Sequence, residues 1–118
     1  MWPYFRRKVK MGFYDVAKKD SIPEGSMKAF KIQGKDILVV NYNGSYYAIG
    51  SKCTHMGGDL SKGVLEGNIV RCPRHGSKFD VTTGGNTLGP KIGFLKLKTP
   101  DEPVYEVKIE GDSIMVEI

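Results

Sequence analysis

The chain has 118 residues, 40% of them apolar and 26% charged, a balance that suits one soluble domain with a modest core. No run of about 18 apolar residues is present, so a helical membrane span is not expected. The formal net charge of +5 raises nucleic-acid binding as a reading. Most of the excess, however, lies in Arg6, Arg7, Lys8 and Lys10, beside the amino terminus. Elsewhere both signs are interspersed, so no nucleic-acid interface is expected.

Residues 1–10 read as a flexible basic leader, with Met11 as an alternative start, and residues 11–118 as a single domain. The Arg6-Arg7 pair is that of a twin-arginine export signal. The apolar segment such a signal needs is missing, because the stretch from Met11 to Asp20 soon becomes charged. A cytoplasmic location is therefore expected.

From Gly12 onward the pattern is short strands separated by turn residues. Phe13 to Ala17 forms a first strand, and Ser21 to Gly25 a turn-rich connection. Met27 to Gln33 alternates apolar residues with lysines, as a half-buried strand does. Asp36 to Tyr42 is the most apolar and β-branched run. The pair Asn43-Gly44 separates it from Ser45 to Ile49, and both turn residues tolerate positive φ, which predicts a tight hairpin.

Nine glycines fall between Ser51 and Gly93, with only short apolar runs among them. Small strands are predicted at Ile69 to Arg71 and Lys78 to Val81. Residues 51–93 thus read as a loop-presenting subdomain inserted in a basal β domain. Strands return at Phe94 to Lys98, Tyr105 to Ile109 and Ser113 to Ile118. No segment sustains a 3.6-residue apolar period, so at most a short helical turn is expected. The fold class is all-β, a small antiparallel sandwich or barrel with the chemistry carried on the insert.

That insert holds every cysteine and histidine of the chain. Cys53 and His55 stand in the order C-x-H, and after sixteen residues Cys72 and His75 follow as C-x-x-H. Two thiolates and two imidazoles in matched pairs are ligands for zinc, copper or an iron–sulfur centre. A zinc finger of the usual kind groups its cysteines first and places its histidines on a helix, and neither feature is present. A blue-copper site built from Cys53, His55, His75 and Met56 would leave the second cysteine idle. A cysteine–histidine hydrolase would not explain the duplicated arrangement. A zinc-stabilised binding module stays open as an alternative.

Cys53-Thr54-His55-Met56-Gly57-Gly58 together with Cys72-Pro73-Arg74-His75-Gly76-Ser77-Lys78-Phe79-Asp80 resembles the Rieske family. Its [2Fe–2S] cluster has one iron on two cysteines and the other on two histidines. The resemblance implies that Cys53 and Cys72 bind the inner iron and His55 and His75 the outer one, with one cluster per chain. It also implies that Gly57, Gly58 and Gly76 let backbone N–H groups approach the sulfides. Pro73 stiffens the second loop, and the Leu88-Gly89-Pro90 segment covers the cluster from a third side, with Pro90 beside it.

Respiratory relatives carry two further cysteines that tie the loops together, where this chain has Gly58 and Arg74. They also use a serine and a tyrosine hydroxyl on the cluster, where this chain has Ser77 and Phe79. The resemblance therefore points to the soluble ferredoxin branch, with a potential below that of respiratory members. What it implies for function is a one-electron carrier between a reductase and an oxygenase or other acceptor, not an enzyme in its own right. A small subunit of a nitrite-reductase-type complex is the alternative. Lys52, Lys62, Arg71, Arg74 and Lys78 surround the ligands in sequence and suggest a basic rim for an acidic partner. Asp59 and Asp80 read as turn residues. A monomer is expected.

Overall fold

The computed structural model describes residues 8–9, 12–54, 58–74, 76–88, 91–92, 95–96 and 101–118. These form three four-stranded antiparallel sheets and one two-stranded pair. No α-helix occurs among the described residues. Two single 3₁₀ turns, Lys19–Ser21 and Leu60–Lys62, are the only helical elements there.

The middle of the molecule is the sheet ordered Val104–Tyr105, Ser45–Gly50, Lys35–Tyr42 and Met27–Ile32. Its two tight hairpins have a local cause. Gln33 and Gly34 take φ of 52° and 77°, and Asn43 and Gly44 take 55° and 83°, the paired positive values that match strand twist. The Asn43-Gly44 turn is the one read from the sequence. It sets the register Tyr42 opposite Ser45, which aligns Leu38 with Ile49 and Val40 with Tyr47.

The run Ile37-Leu38-Val39-Val40 is fully buried because its strand has a core on each face. Side chains alternate across a strand. Leu38, Val40 and Ile49 therefore join one core with Leu60, Val70, Phe79, Val81 and both cysteines. Ile37, Val39 and Ala48 join a second with Ile22, Ile32, Ile114 and Val116. The second core is closed by the sheet ordered Lys8–Val9, Phe13–Lys18, Ser113–Glu117 and Val107–Glu110. The first is closed by the sheet ordered Val64–Glu66, Ile69–Arg71, Lys78–Asp80 and Asn86–Leu88. The latter carries the second ligand motif.

The structure differs from the sequence reading at one instructive place. The strand expected over Tyr105 to Ile109 is two strands in two different sheets. Val104–Tyr105 pairs with Ser45–Gly50, whereas Val107–Glu110 pairs with Ser113–Glu117. The chain changes sheet at Glu106, whose carbonyl accepts the Glu117 N–H. Local alternation continues across such a crossing, so periodicity alone does not reveal it. Val64–Glu66, Asn86–Leu88 and Lys91–Ile92 are further strands that the sequence did not announce. Lys8–Val9, within the stretch read as a leader, pairs with Phe13 and Tyr14.

Candidate metal centre

Each cysteine opens a six-residue loop closed by the same hydrogen bond. The Cys53 N–H donates to the Gly58 carbonyl at 2.7 Å, and the Cys72 N–H donates to the Ser77 carbonyl at 2.7 Å. The strands below impose this match. In the first loop, Lys52 bridges Asp59 and the Leu60 N–H donates to the Ser51 carbonyl at 2.8 Å. In the second, Arg71 pairs with Lys78 in the sheet. In the second loop Gly76, at φ 78°, donates its N–H to the Cys72 carbonyl at 3.2 Å. That φ is unfavourable for a residue with a Cβ.

The two loops meet. A methyl group on Gly58 would stand 2.7 Å from Cys72 Sγ and 3.2 Å from the Arg74 Cγ. The position read as equivalent to a respiratory disulfide cysteine is thus a hydrogen atom pressed against the other loop's thiol. Gly63, just after the first loop, is packed so closely that a Cβ would overlap the Arg71 carbonyl oxygen. Cys53 and Cys72 are 4% and 2% exposed, and no disulfide joins them. His55, Gly57, His75 and Pro90 lie outside the described residues.

The residues that are described fit an iron–sulfur cluster. Two buried thiols face one core, and the sequence holds one histidine two or three positions after each, the donor types that such a cluster takes. Ser77 Oγ is the one buried side-chain polar atom among the described residues that lacks a hydrogen-bond partner. Leaving such a hydroxyl unsatisfied costs about 1–3 kcal/mol, so a sulfur acceptor beside it would repay its burial. Phe79 is fully buried in the same core and brings no hydroxyl.

The carboxylates divide into two kinds. Asp59 accepts from the Ser61 hydroxyl and N–H, at 2.6 and 3.0 Å, and those bonds hold its carboxyl below the usual range. For Asp80, burial pushes the value up, but the Thr82 hydroxyl and N–H and the Asn68 side chain outweigh it and leave it lowered. Both are turn-capping residues, as their sequence setting suggested. Glu102 is different, and sequence reading missed it. It is 4% exposed, and its Oε2 accepts the Thr54 N–H at 3.0 Å, between the two candidate ligands Cys53 and His55 in sequence. Burial pushes its carboxyl up to about 7, against the lowering effect of the Thr54 N–H. In Asp101-Glu102-Pro103 only the proline hinted at an extended conformation, and nothing local signalled burial.

Glu102 gives stability a defined pH dependence. Its unfolded value is near 4.5 and its folded value near 7, so the folded state binds the proton more tightly between them. The neutral carboxyl's contribution is complete below about pH 4.5 and declines as pH rises through about 7. At about 1.36 kcal/mol per pH unit the ceiling is about 3 kcal/mol, lowered by whatever solvent reaches the site. Glu102→Gln is expected to flatten that slope, measured as the change in urea midpoint between about pH 5 and pH 8.

A model of the Rieske [2Fe-2S] domain family matches residues 12–116. The chain belongs to the Rieske family. The ferredoxin component of a naphthalene 1,2-dioxygenase/salicylate 5-hydroxylase system from Ralstonia sp is 38% identical over 88% of this chain and 93% of its own length. Among solved structures, the ferredoxin of carbazole 1,9a-dioxygenase from Nocardioides aromaticivorans superposes with a TM-score of 0.74 at 30% identity. That match covers 90% of this chain and 97% of the other. A chain from a complex of reduced oxygenase and oxidized ferredoxin of carbazole 1,9a-dioxygenase matches at TM-score 0.76 and 26% identity, over 86% of this chain and 98% of its own. The Rieske fold expected from the motifs is thus the fold observed, and the family carries a [2Fe–2S] cluster. No helix among the described residues is long and apolar enough to cross a membrane.

Proposed function

We propose that this Rieske protein is a one-electron carrier, with one [2Fe–2S] cluster per chain held by Cys53, His55, Cys72 and His75. The observation that carries the reading is the pair of matched six-residue loops whose buried cysteines share one core. When bound, the cluster supplies one-electron chemistry, taking an electron from a reductase and giving it to an oxygenase, with no covalent bond made or broken. The chain's own residues hold, shield and present it. The two cysteines lie in the apolar core shared with the central sheet, which keeps water from the inner side. Gly58 permits close approach of the loops, and Ser77 offers its hydroxyl to sulfur. Phe79 offers none, which supports a potential below that of respiratory members. Gly57, Gly76 and Pro90 are assigned to the surrounding shell by the family resemblance of their motifs alone.

The acceptor is an oxygenase by similarity to relatives that are ferredoxin components of dioxygenase systems, the docking face is the basic rim, and the carrier works as a cytoplasmic monomer. Lys52, Lys62, Arg71 and Arg74 are exposed around the loops, and Lys78 is half-buried among them. Reconstituted protein is expected to bind two irons and two acid-labile sulfides per chain and to bleach reversibly on one-electron reduction. A colourless protein carrying one zinc would refute it. Electron transfer to an acidic partner should slow as ionic strength rises, because exposed charges are screened beyond about 10 Å at 0.1 M salt. Rates unchanged by salt would remove the basic rim from the docking reading.

A further inference from the structure

Glu102 is the one buried acidic or basic side chain among the residues whose burial is described. It sits where three parts of the fold are stitched together. Its own N–H donates to the Gly84 carbonyl at 2.8 Å, and the Pro103 carbonyl accepts the Gly50 N–H at 3.0 Å. The adjacent Asp101 Oδ1 accepts the Asn86 N–H at 2.8 Å. The segment 101–103 therefore joins the end of the central strand Ser45–Gly50 to the turn and strand that follow the second ligand loop. From that anchor the Glu102 carboxyl crosses 48 positions of sequence to the Thr54 N–H. Close packing holds it there. A Cβ on Gly84, which has φ 76°, would overlap the Glu102 carbonyl oxygen and approach Val104.

We propose that Glu102 is a positioning residue for the electron-transfer site, clamping the first ligand loop through the Thr54 N–H and setting how readily the site accepts an electron. The inference rests on the ligand reading above, since Thr54 lies between Cys53 and His55. Two physical effects follow. Fixing a backbone N–H between two ligands restricts the loop that must hold them, as partners behind a ligand generally do. A negative charge held in a poorly solvated setting opposes the arrival of an electron nearby, so it lowers the midpoint potential.

The test uses reconstituted wild type, Glu102→Gln and Glu102→Ala at about pH 9, where the carboxyl is ionised. Cluster release to a chelator is followed by visible absorption, and the midpoint potential by protein-film voltammetry. Glu102→Ala removes the acceptor and is expected to release its cluster about tenfold faster. Glu102→Gln keeps an oxygen acceptor for the Thr54 N–H without the charge. It is expected to restore release to near the wild-type rate while raising the potential. A merely structural role would leave the potential of Glu102→Gln at the wild-type value, and that result would overturn the inference, as would unchanged release from Glu102→Ala. Should Glu102→Ala fail to fold, the potential of Glu102→Gln decides alone. A wild type that takes up no cluster would overturn the ligand reading and this one together, whereas a loaded wild type with unaffected variants overturns only this one.

Discussion

Cys72→Ala protein is expected to purify without visible colour and without acid-labile sulfide, and Cys53→Ala likewise. Each substitution removes one of two thiolates that would hold a single iron, so the loss should be near complete rather than graded. The fold should tolerate the change itself. Both positions are buried in an apolar core, and replacing a small thiol by a methyl leaves only a minor void, costing roughly 1 kcal/mol. Far-ultraviolet circular dichroism should therefore keep its β signature while absorption, iron and sulfide content collapse. Thermal stability should fall further than the void explains, because a cluster that binds only the folded state adds its binding free energy to folding. Full iron and sulfide content in either variant would remove that cysteine from the ligand set.

Gly63→Ala is expected to destabilise the protein by about 3 kcal/mol or more, and to loosen the cluster with it. The methyl group would overlap the Arg71 carbonyl oxygen and lie 3.2 Å from Pro73 Cδ. A carbonyl engaged in a sheet cannot move aside as a flexible side chain would, so the cost sits at the upper end of overpacking effects. The displaced backbone is also the piece that sets the loops against each other. Gly63 caps the 3₁₀ turn leaving the first loop, through its N–H to the Leu60 carbonyl at 3.0 Å, and Arg71 immediately precedes Cys72. Denaturant midpoints and cluster release rates should worsen together. Gly25→Ala serves as a contrast, since that glycine has nothing within 4 Å and its penalty comes only from its φ of 81°.

Much of the site was legible in one dimension because its chemistry is ordered locally. The C-x-H and C-x-x-H clusters propose four donors, and their glycines name loops. Asn43-Gly44 named a hairpin, since two adjacent residues settle a turn's φ values. The apolar, β-branched run Asp36 to Tyr42 named a strand, though not that it lies mid-sheet and feeds two separate cores. Asp59 and Asp80 were readable as turn caps because their partners stand two residues away.

What stayed hidden depends on approach between distant segments. Glu102 looks like any acid in a polar turn until its chain lies beside Thr54. Gly63 looks like one more loop glycine until the Arg71 carbonyl is placed against it. Tyr105 to Ile109 reads as one strand until each half finds a partner in a different sheet. By itself, then, the sequence determined the family and the all-β class and proposed a donor set, all of which are written in residues a few positions apart. The tertiary structure alone decided how the two loops are clamped, because desolvation and backbone contact arise only when segments far apart in the chain are brought together.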